Sequence, residues 1–212
     1  MKAYRGIIFV IVVRILASVG TAWMNGLLFQ TSFTDWSDDS QYYNARALSL
    51  IHSGSLGEEQ AQFRRPPGYS LFLAVVYGMF GERIAAAWGA NMALFSLSLF
   101  LLWRLALRWL ARTYSYIVPL LCGLYWGFHY YVFSIGSEML SVFLALLLLV
   151  FLLRYPENQK MRYLVLFGTV GGVLALTKPV FLYALPVLLG GVAYQMRQYQ
   201  GFFRHAGIAF VI

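Results

Sequence analysis

The sequence predicts an all-α polytopic membrane protein, with about six transmembrane helices and two short interfacial helices in its first outer loop. Three observations carry this reading. Of 212 residues, 60% are hydrophobic and 11% charged, and the mean hydropathy is +0.67, outside the range of soluble globular domains. The apolar residues gather into blocks nearly free of charge (6–29, 84–110, 116–133, 139–153 and 163–189), where about 20 helical residues cross a ~30 Å hydrocarbon core. The connections between blocks alternate in charge. The blocks lack the apolar–polar alternation of a lipid-facing barrel strand. The whole chain, 1–212, reads as a single membrane domain.

The first block follows Lys2 and Arg5 and has small residues at Gly20-Thr21-Ala22, as a signal peptide would. It continues through Trp23 to Phe29 and contains Arg14, so an uncleaved first helix is expected. Arg14 lies about two turns in and should face the bundle or snorkel inward, because a cation facing lipid is costly.

The orientation comes from the charges. Lys2 and Arg5 precede the first span, and Arg104, Arg108 and Arg112 follow the second. Arg154, Lys160 and Arg162 lie between the fourth and fifth, and Arg197 and Arg204 follow the sixth. The positive-inside rule makes these ends cytoplasmic. The opposite ends carry Asp35, Asp38, Asp39, Glu58, Glu59, Glu82 and Glu138, seven of the eight acids. The pI of 9.7 is therefore a topology signal and not a nucleic-acid footprint, and no nucleic-acid partner is expected. Cys122 is the only cysteine, so no intrachain disulfide can form. No zinc motif, phosphate loop or nucleophile elbow occurs, which removes the soluble-enzyme chemistries they mark.

Later spans need one adjustment. The stretch 163–194 is too long for one crossing, and Lys178-Pro179 divides it, since proline removes a donor and disfavours helix at the preceding residue. A turn at Lys178 and a short sixth helix are expected, the alternative being a kink in one long helix. His129, with Tyr130 and Tyr131 at the outer end of the third span, reads as an interfacial residue. Residues 206–212 look like the opening of a further helix, so the chain is expected to be an N-terminal piece of something larger.

The outer loop, 30–83, holds most of the chemistry. Asp39, Tyr43, Ala47 and Leu50 fall at i, i+4, i+8 and i+11, one stripe of a helix, with Asp39 in the first turn where the dipole favours an anion. Ser53-Gly54-Ser55 stops this helix. Pro66-Pro67-Gly68-Tyr69 opens a second, ended by Gly81, and about thirteen residues are too few to span, so it should lie along the interface. Trp36, Tyr42, Tyr43 and Tyr69 suit the headgroup zone. Asp35, Asp38 and Asp39 followed by Arg64-Arg65 fit a polar active site. A carboxylate there can act as general base or hold a divalent cation against a phosphate, and the arginines can grip a phosphate bidentately. Composition does not choose between these roles.

The pattern Asp39-Ser40-x-x-Tyr43-x-x-x-Ala47-x-x-Leu50, followed by Arg65-Pro66-Pro67-Gly68-Tyr69-Ser70-Leu71-Phe72-Leu73-Ala74, resembles the first outer loop of the C-type glycosyltransferase superfamily. Bacterial members similar to dolichyl-phosphate-mannose protein mannosyltransferases and to the aminoarabinose transferase of lipid A are nearest. Gly81 with Arg83, Ser137-Glu138-Met139-Leu140, and Gly171-Gly172-x-x-Ala175-Leu176-Thr177-Lys178-Pro179 agree in order and spacing. The resemblance spans about residues 30–195. It implies an enzyme of the bacterial inner membrane that passes a sugar from a polyprenyl-phosphate carrier to an acceptor on the outer face, with inversion and with membrane lipid as its surroundings. It implies Asp39 as the essential acid with Asp38 beside it. Some members have Asp-Glu where this chain has Asp38-Asp39, which shifts the register of the acid by one. Glu138 matches the second acidic position. Arg64, Arg65, Tyr43, Glu138 and Lys178 are the expected substrate contacts, Lys178 toward the carrier phosphate. The sugar, the acceptor and any metal stay open. Two rivals stand beside this reading: a transporter or flippase for a lipid-linked substrate, using Arg14, Glu138 and Lys178 as an intramembrane path, and a non-catalytic scaffold subunit.

Overall fold

A computed structural model describes residues 4–24, 38–56, 65–158 and 160–195. Among them the chain is helical, without strands, in the order α1 (Arg5–Met24), α2 (Asp38–Ser53), α3 (Gly68–Phe80), α4 (Ile84–Ala106), α5 (Ile117–Leu124), α6 (Trp126–Val132), α7 (Glu138–Asn158), α8 (Met161–Thr177) and α9 (Val180–Gln195). By length and composition α4 and the Glu138–Tyr155 part of α7 can each cross a bilayer unaided, and Gly6–Gly20, Gly68–Phe80, Met161–Thr177 and Val180–Gly190 are shorter apolar helices. The expected integral membrane character holds. Of the described helices, two have full spanning length, fewer than the six crossings expected.

The chain divides into two compact units, Met1–Arg65 with Tyr69–Leu140, and Pro66–Gly68 with Ser141–Ile212. In the first, α4 packs on α1, α5 and α6, and α1 packs on α5. Ile7, Val10 and Trp103 form a buried cluster, with Ile11, Phe100, Leu107 and Tyr116 against it. Trp103 Nε1 donates to Ser115 Oγ at 3.1 Å, and its ring stacks on Tyr116 at 5.9 Å. These contacts hold the chain where it leaves α4 at Ala106, and residues 107–116 run in turns. Arg14 is buried at 8% exposure, with its guanidinium 5.3 Å from the centroid of the Phe95 ring. Of the two expected placements, facing the bundle is the one adopted.

The third apolar block is not one helix. Tyr125 is extended (φ −65°, ψ 117°) between α5 and α6, and Phe128 N–H donates to the Tyr125 carbonyl at 3.3 Å to restart the helix. The bare Gly127 leaves room for the Tyr125 ring, which a Cβ would strike. His129 is buried and stacked on Trp126 at 4.9 Å. It is a packed residue of the first unit and not the interfacial one expected.

α2 and α3 end as the glycines dictate. Gly54 (φ 70°) and Gly81 (φ 87°) take the left-handed conformation that closes a helix and costs little without a Cβ. Gly54 N–H reaches the Leu50 carbonyl at 3.1 Å and Gly81 N–H the Tyr77 carbonyl at 2.8 Å. One face of α3 (Tyr69, Leu73, Val76, Tyr77) is buried, while Leu71, Val75 and Met79 are exposed.

In the second unit α8 packs on α9. The break at Lys178 is present: Lys178 is extended (φ −142°, ψ 101°), and its N–H caps α8 on the Leu174 carbonyl at 2.7 Å. Gly171 admits the Leu185 and Leu148 side chains, 3.1 and 3.4 Å from where a Cβ would stand. Gly68 is also bare for a reason. A Cβ there would lie 2.6 Å from Thr177 Oγ1 and 2.7 Å from the Leu176 carbonyl oxygen.

Candidate functional site

The site in the first unit is built on the opening of α2. Asp39 stands in its first turn, and Tyr43 follows one turn later on the same face. Tyr43 is 4% exposed, set edge-on to Tyr69 at 5.2 Å, and shares a side-chain hydrogen bond with Ser137. This corrects the headgroup role expected for Tyr43 and Tyr69, whose rings lie on the packed faces of α2 and α3. Tyr42 does contact a cation, with the Arg46 guanidinium 4.6 Å from its ring centroid.

Arg65 closes on Asp39 just before Pro66-Pro67. Its Nη2 lies 2.6 Å from Asp39 Oδ1, and its Nε donates to the same oxygen at 2.8 Å. Both contacts fall on Oδ1, so Oδ2 stays outside the pair. Both side chains are 48% exposed, a setting in which an ion pair contributes little to stability. The pair is therefore not a structural staple. The Asp39 hydrogen bond and charge, reinforced by Tyr43 and Glu138, raise the Arg65 pKa above its ordinary value.

Glu138 opens α7, where its charge complements the dipole, and its carboxylate folds over Gly136. Burial, then the charges of Asp39 and Glu138, push the Tyr43 phenol up, while the Ser137 hydrogen bond and Arg65 oppose them. Asp39, Arg65, Tyr43 and Glu138 thus share one electrostatic neighbourhood, although they come from separate stretches of the chain. Lys178 belongs to the second unit. Arg64 and the side chain of Asp38 lie outside the described residues, as do Asp35 and Trp36.

Sequence reasoning missed the support beneath this corner. Asn91, fully buried in the middle of α4, donates to the Ser134 carbonyl at 2.8 Å and to the Val132 carbonyl at 3.4 Å. Its Oδ1 accepts the Tyr69 hydroxyl at 3.3 Å. The available signal was a lone amide inside an apolar block, which is expensive in a membrane and therefore seldom idle. In the second unit an apolar cavity of about 460 Å³ is lined by Ala145, Leu148, Leu149, Leu174, Phe181 and Leu185, among others.

Among the described residues no group of three or more His, Cys, Asp or Glu side chains is placed to hold a metal ion. The carboxylates at this corner, Asp39 and Glu138, fall short of such a set, and Asp39 is engaged by Arg65.

Apolar helices, two of them long and apolar enough to cross a bilayer, define the class as membrane-embedded proteins. More particularly, the chain belongs to the dolichyl-phosphate-mannose-protein mannosyltransferase family, whose model matches residues 64–212. That stretch includes Arg64, Arg65, Glu138 and Lys178, and begins after Asp38, Asp39 and Tyr43. No curated protein matches the chain, and no solved structure does.

Proposed function

We propose that this chain supplies the donor and base site of a glycosyltransferase that moves a sugar from a polyprenyl-phosphate carrier to an acceptor hydroxyl on the outer face of the membrane. The observation that carries this is the Asp39–Arg65 pair, set beside Tyr43 and Glu138 and leading directly into the family-matched stretch. Asp39 takes the proton of the acceptor hydroxyl. The acceptor oxygen forms a bond to the anomeric carbon as the bond from that carbon to the carrier phosphate breaks. The phosphate leaves with the electron pair, and the anomeric centre inverts. Arg65 stabilises the developing phosphate charge. Glu138 and Tyr43 orient the sugar.

The test is sugar transfer in membranes by the full chain with single substitutions. Asp39→Asn should keep the protein folded and lower turnover by about 10² or more, the loss expected when a general base is removed, while Asp35→Asn should do far less. Full activity in Asp39→Asn with none in Asp38→Asn moves the essential acid by one residue. Full activity in both removes the site. Vectorial movement of the lipid-linked sugar without its release supports a transporter instead, and neither transfer nor movement supports a scaffold subunit.

A further inference from the structure

The turn between α6 and α7 is tied down more heavily than a connector needs. Asn91 holds the Val132 and Ser134 carbonyls, and the Tyr69 hydroxyl, which donates to Asn91, accepts the Gly136 N–H. Burial raises the Tyr69 phenol well above its usual range, so it remains a donor at any physiological pH. Phe133 is wedged edge-on against Trp88 at 5.5 Å. Three backbone groups, at 132, 134 and 136, and the ring of Phe133 are therefore held by side chains from α3 and α4. The turn ends on Ser137, which bonds Tyr43, and on Glu138.

Gly136 has a second peculiarity. Its φ is not in the left-handed region, so backbone conformation does not demand glycine. The demand is for space: a Cβ at this position would strike Glu138 Oε2. The missing side chain is what allows that carboxylate to fold back over the turn at Gly136.

We infer that Asn91 and Gly136 are positioning residues for Glu138, Asn91 by hanging the 132–136 turn from α4 and Gly136 by vacating the volume that the Glu138 carboxylate occupies. The consequence for transfer rests on the proposed function. The placement itself does not. Neither residue touches substrate: they act through Glu138.

The two effects are separable. In Gly136→Ala the group that must yield is the end of a flexible side chain, so the carboxylate swings away and the fold loses little. In Asn91→Leu the turn loses its anchor and the buried carbonyls lose their donor, so stability falls as well.

The deciding measurement is the coupling between Tyr43→Phe and Glu138→Gln in unfolding experiments on the full chain in detergent, a readout independent of any sugar. In the native background the two substitutions should be non-additive, by at least about threefold in the unfolding equilibrium. In Gly136→Ala that coupling should disappear while the thermal midpoint moves by less than about 4 °C. It should disappear again in Tyr69→Phe, which removes one hydroxyl and serves if Asn91→Leu does not fold. Coupling that persists unchanged in Gly136→Ala and Tyr69→Phe overturns the inference. Transfer assays add the second arm. Gly136→Ala should lower kcat by about 10²-fold with a smaller change in donor KM, whereas a residue that merely stabilises the bundle would leave kcat per folded molecule unchanged. Loss of coupling with unaltered kcat supports the placement and counts against Glu138 acting in transfer.

Discussion

Gly68→Ala is the substitution whose sign the structure reverses. In an open helix, replacing glycine with alanine stabilises by about 0.5–1 kcal/mol, because alanine loses less backbone entropy on folding. At Gly68 the added methyl would stand 2.6 Å from Thr177 Oγ1, 2.7 Å from the Leu176 carbonyl oxygen and 2.8 Å from the Leu176 carbonyl carbon. Two of these three atoms are backbone at the end of α8 and cannot rotate away. Overpacking of this kind costs about 1–3 kcal/mol, and the entropic gain is at its smallest at the first residue of a helix. A net loss of about 1–2 kcal/mol follows, which lowers the midpoint of a chain this size by about 2–8 °C. Gly78, ten residues later on α3, has nothing within 4 Å of its Cβ position. Gly78→Ala should therefore gain the ordinary entropic benefit and raise the midpoint by about 1–4 °C. Thermal unfolding of both variants in one detergent measures the difference, with the same chain as reference. If Gly68→Ala melts at or above the unsubstituted protein, Gly68 does not lie against Leu176 and Thr177 as described.

Two further outcomes are expected. Arg14→Leu should raise the unfolding midpoint in detergent. Its Nε and Nη2 have no hydrogen-bond acceptor among the described residues, a deficit of about 1–3 kcal/mol or more for a charged group, against about 0.5–2 kcal/mol from the Phe95 ring; a lower midpoint would mean that Arg14 has a partner worth more than its desolvation. In a Cys122→Ala background, a membrane-impermeant thiol reagent added outside should label a cysteine at Ser55, which is exposed at the end of α2, and spare one at Lys160; the reverse pattern inverts the topology read from the charges.

What the sequence made legible was local chemistry. The ends of α2 and α3 follow from Gly54 and Gly81, because a positive φ is a demand that one residue type meets. The break between α8 and α9 follows from Lys178-Pro179, because proline acts on its own neighbours. The break at Tyr125 has no such marker. It depends on a ring lying against Gly127 and on where α5 and α6 meet α4, which are properties of packing. Likewise α4 ends at Ala106, within an apolar run that continues to Leu110, because Trp103 bonds Ser115 twelve residues further on. The same limit explains Tyr43 and Tyr69. Their composition suits a headgroup zone, and only the pairing of α2 with α3 shows that these rings meet edge to face at 5.2 Å.

The site divides along the same line. The stripe from Asp39 to Tyr43 and the acid at the start of α7 are helix-period facts, visible without a fold. Nothing in spacing alone says that Arg65, twenty-six residues after Asp39, closes on its Oδ1, or that Asn91 reaches over a separation of more than forty residues to hold the turn before Glu138. That first contact also matters for how the family membership bears on chemistry. The matched stretch starts at residue 64, so the family match does not itself cover Asp39. What connects the acid to that stretch is Arg65, and through Tyr43 the same acid shares its field with Glu138. The case for Asp39 is therefore geometric. A carboxylate with one oxygen pinned by a guanidinium and the other outside the pair is oriented without being consumed, and a base that must meet an acceptor hydroxyl at a fixed angle needs that orientation more than it needs burial.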